Sequence, residues 1–208
     1  MPCLSAARRQ SSGPAVCRVE WRPTGTYGRK NRVKQILDSN QIGDGVCQLA
    51  EQIKAIYEGR PITIVAILTG SLVLLADLIR QLEMPLRVAL VQASRLRTPD
   101  EPRQAMKIFD VLLPNLKGRD VLVIDDIFDT GHTLVEVLAQ LLQHEPASLR
   151  SAVLMRKTGR SEVPIIPDIV MFEIPDEFVV GYGLDYEDRF RNLPYVAALE
   201  PEDLTPSS

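Results

Sequence analysis

Two adjacent carboxylates followed by a short, hydroxyl-rich loop are the most chemically informative feature of the sequence. Asp125 and Asp126 end a run of four aliphatic residues, 121–124, and the loop 129–133 that follows reads Asp-Thr-Gly-His-Thr. Apolar residues at helical spacing continue over 134–142. Backbone amides at the start of such a helix favour an anion, and the small loop residues suit close approach of a phosphate. Because the carboxylates would repel a bare anion, we expect them to bind sugar hydroxyls and to support a divalent metal.

The order of these residues predicts the elements that must position them: a buried strand, an acidic pair, a loop and a helix. A ribose with a phosphate on one side and a metal-bound diphosphate on the other would satisfy every group. No G-x-x-x-x-G-K-[S/T] or G-x-G-x-x-G sequence occurs in the chain, which removes the commonest alternative nucleotide sites. The remaining alternative is a strand with a merely structural acidic end, and the full Asp-Thr-Gly-x-Thr sequence disfavours it.

Strands and helices alternate along the rest of the sequence. Residues 92–107 are polar, contain two prolines and predict a long mobile loop. The alternation predicts an α/β fold with a doubly wound, mainly parallel sheet, and with ligands at the carboxyl ends of its strands. A small hood is expected to come from both ends of the globular part. Apolar patterning predicts helices over 42–57, 72–82 and 134–142, and strands over 61–68, 86–91, 120–126, 149–155, 169–172 and 178–180.

Composition and charge limit the possible functions. A chain of 208 residues with 45% hydrophobic content can bury one core of ordinary size. The formal net charge of −3 gives no electrostatic case for nucleic acid, and no apolar run approaches membrane-spanning length. Three cysteines and two histidines form no metal-ligand pattern, so a structural zinc site is not expected. We expect a reduced, soluble, cytoplasmic protein with neither a nucleic-acid nor a membrane partner.

The two ends of the chain differ in character from its middle. Residues 1–32 contain a Ser-Ser-Gly-Pro stretch, little apolar periodicity and no apolar core of a signal peptide. We predict a disordered extension there, and an upstream start-codon misassignment would leave the same pattern. A single catalytic domain is predicted over 33–200, followed by a fraying tail over 201–208.

Residues 121–133 resemble the phosphoribosyl-diphosphate (PRPP) binding motif of type I phosphoribosyltransferases. The region from about 36 to 199 resembles the hypoxanthine/guanine members of that family. The resemblance implies that Asp125 and Asp126 hold the ribose hydroxyls and that Asp129, turned toward the base, is the catalytic general base. It also implies that the 5-phosphate is bound by the loop residues Asp129, Thr130, Gly131, His132 and Thr133, with His132 contributing its backbone amide.

A second segment, Leu68-Thr69-Gly70, joins a predicted strand to a predicted helix. A glycine followed by serine at such a turn lets backbone amides face an anion, although a tight turn alone would explain the glycine equally well. Its position resembles the pyrophosphate loop of the family, in which a basic residue often stands where this chain has Thr69. Arg191 matches a family arginine that reaches pyrophosphate.

The segment 172–193 resembles the purine site of bacterial family members. By spacing, Lys157 takes the place of the lysine that donates to the 6-oxo group of the purine, and Arg156 is the alternative if the register shifts by one. A fixed ammonium donor there would favour a carbonyl and reject the amino group of adenine. The resemblance implies that Phe178 stacks on the base and Val179 offers backbone contacts, although a core role fits both residues equally well.

The resemblance further implies Mg²⁺ as the cofactor. Asp185, at the purine site, matches the aspartate on the second magnesium, and Asp125 and Asp126 are the other implied metal-binding residues. Besides Thr69, the chain departs from the family pattern in two further places. Ser94 lies where a Ser-Tyr pair is expected in the mobile loop, but no tyrosine follows it, and Asp125 replaces a frequent Glu. A homodimer or homotetramer is also implied.

The predicted reaction is Mg²⁺-dependent transfer of ribose 5-phosphate from PRPP to N9 of hypoxanthine or guanine, with release of pyrophosphate. Two alternatives stay open. One is a regulator on the same fold that binds PRPP or nucleotide without catalysis, since fold does not settle function. The other is a transferase for another 6-oxopurine such as xanthine.

Overall fold

The computed structural model describes residues 34–95 and 106–200, and a six-stranded sheet forms its centre. Among the described residues, no helix is both long and apolar enough to cross a membrane. The predicted extension 1–32 and tail 201–208 lie outside the described residues. In chain order the elements are β1 (Lys34–Leu37), α1 (Ser39–Tyr57), β2 (Ile62–Leu68), α2 (Leu72–Ile79), β3 (Leu86–Arg95), β4 (Met106–Leu112), β5 (Asp120–Phe128), α3 (His132–Leu142), β6 (Ser148–Lys157), β7 (Ile169–Ile174), β8 (Val179–Val180) and β9 (Val196–Ala198).

The strand order of the main sheet is β4-β3-β2-β5-β6-β7. Five strands of this sheet run parallel to one another: β3, β2, β5, β6 and β7. The edge strand β4 pairs antiparallel with β3. Alternate residues of the central strands enter two separate cores: Ile64 packs with α1 and α2, whereas Val65 packs with α3. Helices thus cover both faces, which explains why β2 and β5 read as continuous apolar runs. The predicted doubly wound, mainly parallel fold is confirmed.

Helix α1 shows how local sequence sets the element boundaries. The side chain of Asp38 accepts hydrogen bonds from the backbone N–H groups of Asn40 and Gln41, and the Gln41 side-chain oxygen accepts one from the backbone N–H of Asp38. The helix ends where Glu58 and then Gly59 take positive φ angles of 51° and 76°. The predicted helix with its stop at Gly59 is therefore confirmed.

A second sheet of three strands, in the order β1-β9-β8, is antiparallel. Its strands come from the start and the end of the described chain, as predicted for the hood. The segment that joins β7 to β8 and the turns after β8 link the hood to the carboxyl edge of the main sheet.

The structure corrects the predicted loop over 92–107. Strand β3 continues to Arg95, and β4 begins at Met106, with Ala93 opposite Ile108 in the antiparallel ladder. Backbone hydrogen bonding at the sheet edge therefore overrides the polar composition that had indicated a loop. Helix α2 also ends at Ile79 rather than at residue 82, because the chain turns after Arg80 through a hydrogen bond from Gln81 N to Leu78 O. Residues 96–105, the middle of the predicted loop, lie outside the described residues.

Candidate active site

A cleft of about 470 Å³ opens at the carboxyl ends of β2 and β5. This edge of a doubly wound sheet is where ligands bind, because the loops after neighbouring parallel strands meet there. The structure therefore gathers the segments that the sequence assigned to ribose, 5-phosphate and pyrophosphate. Of the sequence-predicted site residues, the cleft is lined by Leu68, Gly70, Asp125, Asp126, Asp129, Thr130, Gly131 and Thr133.

The acidic pair lies at the floor of this cleft. Asp125 and Asp126 are only 9% and 5% exposed, and the backbone N–H of Asp126 donates to Asp125 Oδ1 at 3.0 Å. Burial raises the pKa of both carboxyls, and the neighbouring charge of Asp126 raises the pKa of Asp125 further. Two buried carboxylates in contact are stabilised by a cation or by hydroxyl donors, which is the property that a sugar or metal site requires.

The turn 68–70 packs directly against this pair. A Cβ added to Gly70 would lie 1.6 Å from Asp126 Oδ2, so only glycine allows the backbone to approach the carboxylate this closely. Gly183, at φ +98°, lies on the other side, where a Cβ would be 2.1 Å from Gly70 O. The peptide bond between Leu68 and Thr69 is cis, and the Thr69 side chain is exposed.

Arg191 connects the hood-side turn to the acidic pair. Its Nη1 donates to Gly183 O at 2.6 Å, and its Nη2 pairs with Asp185 Oδ1 at 2.7 Å. Asp185 Oδ2 accepts from the backbone N–H of Asp188 at 3.0 Å, so both of its oxygens have partners. The Arg191 charge also opposes the burial-driven rise in the pKa of Asp126, which places this cation within electrostatic reach of the cleft floor.

Asp129 lies in a network of four charged side chains at the edge of the cleft. Lys157 Nζ lies 3.1 Å from Asp129 Oδ2, and Arg160 Nε lies 3.0 Å from Asp129 Oδ1. Both cations also pair with Asp176 Oδ1, at 3.7 Å and 3.4 Å respectively. Burial alone would raise the pKa of Asp129, but hydrogen bonds from Arg160 and Lys157 outweigh burial and lower the pKa below its ordinary value.

The contacts of Lys157 and Arg156, the two candidates for the 6-oxo donor, differ in the structure. Lys157 meets Asp129, whereas Arg156 pairs with Glu173 on the adjacent strand β7. Arg160 lines the cleft but was not among the predicted site residues. The only sequence signal for it was its place in the run of three cations that ends at Arg160, a pattern that usually indicates a solvated turn.

The loop 129–133 begins helix α3 and is braced by the chain that follows β6. Gly131 has φ 89°, and a Cβ there would lie 2.4 Å from Val163 Cγ2. The backbone N–H of Glu162 donates to Thr130 O at 3.0 Å, and His132 Nε2 lies 3.0 Å from Glu162 Oε2. The side chain of His132 therefore contacts this brace and is not among the residues that line the cleft.

The two hood residues assigned to the purine differ in exposure. Phe178 is 43% exposed, and its ring meets the edge of the Tyr186 ring with centroids 5.5 Å apart. Val179 is buried in the core, and its backbone pairs with Ala198 in the hood. The exposed ring of Phe178 is available for stacking on a base. The alternative that both residues belong to the core holds only for the side chain of Val179.

The comparisons with known proteins agree with this fold. The phosphoribosyl transferase domain model matches residues 32–187. The chain therefore belongs to the phosphoribosyltransferase family. The resemblance to its hypoxanthine/guanine members, indicated by the sequence motifs, is confirmed by the relatives and the solved structure described next.

The chain is similar to two curated bacterial hypoxanthine phosphoribosyltransferases. It is 36% identical to that of Haemophilus influenzae over 178 residues, which cover 84% of this chain and 99% of the relative. It is 38% identical to that of Salmonella typhimurium over 169 residues, which cover 80% of this chain and 95% of the relative. Among solved structures, the hypoxanthine phosphoribosyltransferase of Staphylococcus aureus superposes with a TM-score of 0.77 at 34% identity, covering 83% of this chain and 94% of that one.

Proposed function

We propose that this protein transfers the 5-phosphoribosyl group from PRPP to N9 of hypoxanthine or guanine. The products are the corresponding nucleoside monophosphate and pyrophosphate, as in purine salvage. One observation carries the proposal: Asp129 is paired with Lys157 at the edge of a cleft that also contains the buried pair Asp125 and Asp126. This arrangement supports the assignment of Asp129 as the base and of Lys157 as the 6-oxo donor, and the names of the bacterial relatives support the same reaction.

The ribose and its 5-phosphate would occupy the cleft between the acidic pair and the start of α3. Asp125 and Asp126 would accept hydrogen bonds from the ribose hydroxyls, which relieves the repulsion between two buried carboxylates. The loop 129–133 would bind the 5-phosphate through backbone amides at a helix N-terminus, where an anion is favoured. Gly131 has a positive φ, which glycine adopts without strain because it has no side chain, and the backbone therefore turns into α3 at this residue.

As the bond between the sugar and pyrophosphate breaks, its electron pair leaves with pyrophosphate and the sugar becomes cation-like. The negative charge that develops on pyrophosphate must therefore be stabilised in the transition state. The backbone of the turn Leu68-Thr69-Gly70 would contribute amide donors. Arg191 would contribute a cation, held in position by its bonds to Gly183 and Asp185. Thr69 offers no charge, so we expect Arg191 to carry more of this role than in relatives that have a basic side chain at the turn.

The purine would lie between the hood and the Asp129 network. Lys157 would donate to the 6-oxo group, Phe178 would stack on the ring, and the backbone of Val179 would contact the ring edge. Asp129 would accept a proton from the purine ring as N9 attacks the sugar. Its lowered pKa keeps the carboxylate ionised and therefore able to accept that proton.

The donor set fits Mg²⁺ held partly by the substrate. Among the described residues there is no group of three or more His, Cys, Asp or Glu side chains placed to hold a metal alone. Mg²⁺ is commonly bound by one or two carboxylates together with phosphate oxygens and water, and the buried pair Asp125 and Asp126 matches that pattern. Asp185 would contribute a further carboxylate on the pyrophosphate side. When bound, Mg²⁺ would neutralise charge on the diphosphate.

We also propose that the protein assembles as a homodimer or homotetramer, as the family resemblance implies. Size-exclusion chromatography with light scattering gives the mass directly. A mass equal to that of one chain at micromolar concentration would contradict this assignment.

The test of the proposed reaction is an initial-rate ultraviolet assay with PRPP, Mg²⁺ and hypoxanthine or guanine. We expect robust turnover by the wild-type protein and a loss of about 10²–10⁴-fold in Asp129→Asn, which is the usual contribution of a general base. Asp44→Asn, an exposed carboxylate on α1, is the matched control and should keep wild-type activity. PRPP binding without turnover of either base would favour a non-catalytic regulator instead.

A further inference from the structure

Asp129 is held by two cations, although the proposed reaction uses only one of them. Lys157 Nζ binds Oδ2 and Arg160 Nε binds Oδ1 of the same carboxylate. In the proposed complex Lys157 turns to the 6-oxo group of the purine. The structure thus contains a second cation whose role the proposed reaction leaves unassigned.

The two cations differ in the way they are held. Lys157 is at the end of β6, and its side chain is only 11% exposed beside the cleft. Arg160 lies in the loop after β6, where Nε is shared between Asp129 and Asp176. A guanidinium is planar and always charged, whereas an ammonium on a flexible stem moves easily between partners. The Arg160 side chain is 41% exposed and lines the cleft, and its planar guanidinium suits a fixed contact with a carboxylate.

We propose that Arg160 is the positioning residue for Asp129. It holds Oδ1 and keeps the carboxylate directed to the cleft, while Lys157 releases Oδ2 and binds the base. This inference rests on the proposed function and deepens it, because it divides the network into a substrate-binding cation and a carboxylate-holding cation. Asp176 supports these separate roles, because its carboxylate also pairs with Arg160 and would continue to balance the Arg160 charge after Lys157 turns to the purine.

The proton step follows from this geometry. The N–H bond of the purine ring breaks, its electron pair stays on the ring nitrogen, and an O–H bond forms at Asp129 Oδ2. The hydrogen bond from Arg160 Nε to Oδ1 is kept throughout. Because Arg160 acts through Asp129, its loss should lower kcat much more than it changes KM for PRPP.

The charges that face Asp129 predict how its ionisation responds. Two cations contact Asp129 directly, Lys157 on β6 and Arg160 in the following loop. Two further carboxylates, Asp176 and Glu162, lie near Arg160 and raise its pKa. Burial raises the pKa of Asp129, and both cations lower it. Without Arg160 only Lys157 lowers the pKa, so the pKa of Asp129 should rise. The acidic limb of the kcat/KM profile should then move to higher pH.

The test uses Arg160→Met, Arg160→Lys and the control Arg150→Met. Arg150 is matched in exposure, 46% against 41% for Arg160, and its ion pair with Asp168 lies at the opposite end of β6 from the cleft. Two readouts are recorded: the carboxyl ¹³C NMR titration of Asp129, assigned with Asp129→Asn, and steady-state kinetics. Thermal unfolding of each variant identifies any that fails to fold.

In Arg160→Met we expect the pKa of Asp129 to rise by about half a unit to one unit, as expected for loss of one partly exposed cation. We expect kcat to fall about tenfold, less than the ~10²–10⁴-fold effect of removing a general base, with KM for PRPP within about twofold. Arg160→Lys should recover part of both effects. If Arg160→Met matches Arg150→Met in both readouts, the inference is overturned. If the wild-type protein transforms no base, the proposed function fails, yet the titration still decides whether Arg160 holds Asp129.

Discussion

Gly70 and Asp126 lie so close together that a methyl group on Gly70 would stand 1.6 Å from Asp126 Oδ2. The turn assigned to pyrophosphate and the carboxylate assigned to ribose thus form one unit. Gly183 approaches the same turn from another side, since a Cβ there would lie 2.1 Å from Gly70 O.

The first prediction concerns this contact. Gly70→Ala should displace the Asp126 carboxylate or the turn, and we expect KM for PRPP to rise and kcat to fall by at least about tenfold, since a misplacement of about 1 Å can cost 10²-fold. The matched control is Gly43→Ala on α1, where a Cβ meets nothing within 4 Å. Steady-state kinetics with varied PRPP measure both variants. Wild-type parameters in Gly70→Ala would show that the contact has no functional importance.

The second prediction concerns the buried acidic pair in the absence of substrate. Asp125→Asn removes a carboxyl whose ionised form is disfavoured by burial and by the charge of Asp126, while its side-chain oxygen can still accept the hydrogen bond from Asp126 N. We expect the ligand-free variant to gain on the order of 1 kcal/mol, a rise in Tm of about 2–4 °C, and to bind PRPP more weakly. Differential scanning fluorimetry with and without PRPP and Mg²⁺ measures both effects. A lower Tm without ligand would contradict the argument from repulsion.

The third prediction separates the two candidate purine cations. Lys157→Gln should raise KM for hypoxanthine by at least about tenfold and leave KM for PRPP nearly unchanged, because loss of a charged donor to a carbonyl costs roughly 1.5–3 kcal/mol. Arg156→Gln removes the neighbouring cation, which pairs with Glu173, and should keep both constants near wild type. The opposite ranking of the two variants in the same assay would reassign the 6-oxo donor to Arg156.

The fourth prediction concerns the cation on the pyrophosphate side. Arg191→Met breaks the bonds to Gly183 and Asp185, so we expect a rise of about tenfold or more in the dissociation constant for PRPP, the cost of roughly one charge-assisted hydrogen bond. Arg189→Met, which changes an exposed arginine in the same segment, is the control. Isothermal titration with PRPP and Mg²⁺ gives the affinities. Equal affinities in the two variants would remove Arg191 from the site.

The sequence indicated most directly those parts of the candidate site that are contiguous in the chain. The strand β5, the pair Asp125 and Asp126, and the loop 129–133 follow one another, and local patterning is enough to define their order. Arg160 and Gly183 were missed as site residues because their contacts join segments that are distant in the sequence. Nothing near Gly183 in the sequence indicates that it packs against Gly70.

The fold was predictable for a similar reason, and the largest error of the prediction, the loop over 92–107, was local. Buried parallel strands such as β2 and β5 have unmistakable apolar runs, whereas β4 lies at the sheet edge and pairs through its backbone. The polar extension of β3 beyond Gln92 has the composition of a loop. Its strand conformation comes from the tertiary pairing with β4, which no local pattern contains.

The central claim is that the chain transfers phosphoribose to a 6-oxopurine, and a competition experiment tests it most directly. The wild-type protein is incubated with PRPP, Mg²⁺ and equal amounts of hypoxanthine, guanine, xanthine and adenine, and the nucleotides formed are measured by mass spectrometry. We predict that the nucleotide of hypoxanthine or guanine (inosine or guanosine monophosphate) dominates, that no adenine nucleotide forms, and that Asp129→Asn forms the products about 10²–10⁴-fold more slowly. Formation of the adenine nucleotide, or of no nucleotide while PRPP binds, would contradict the account.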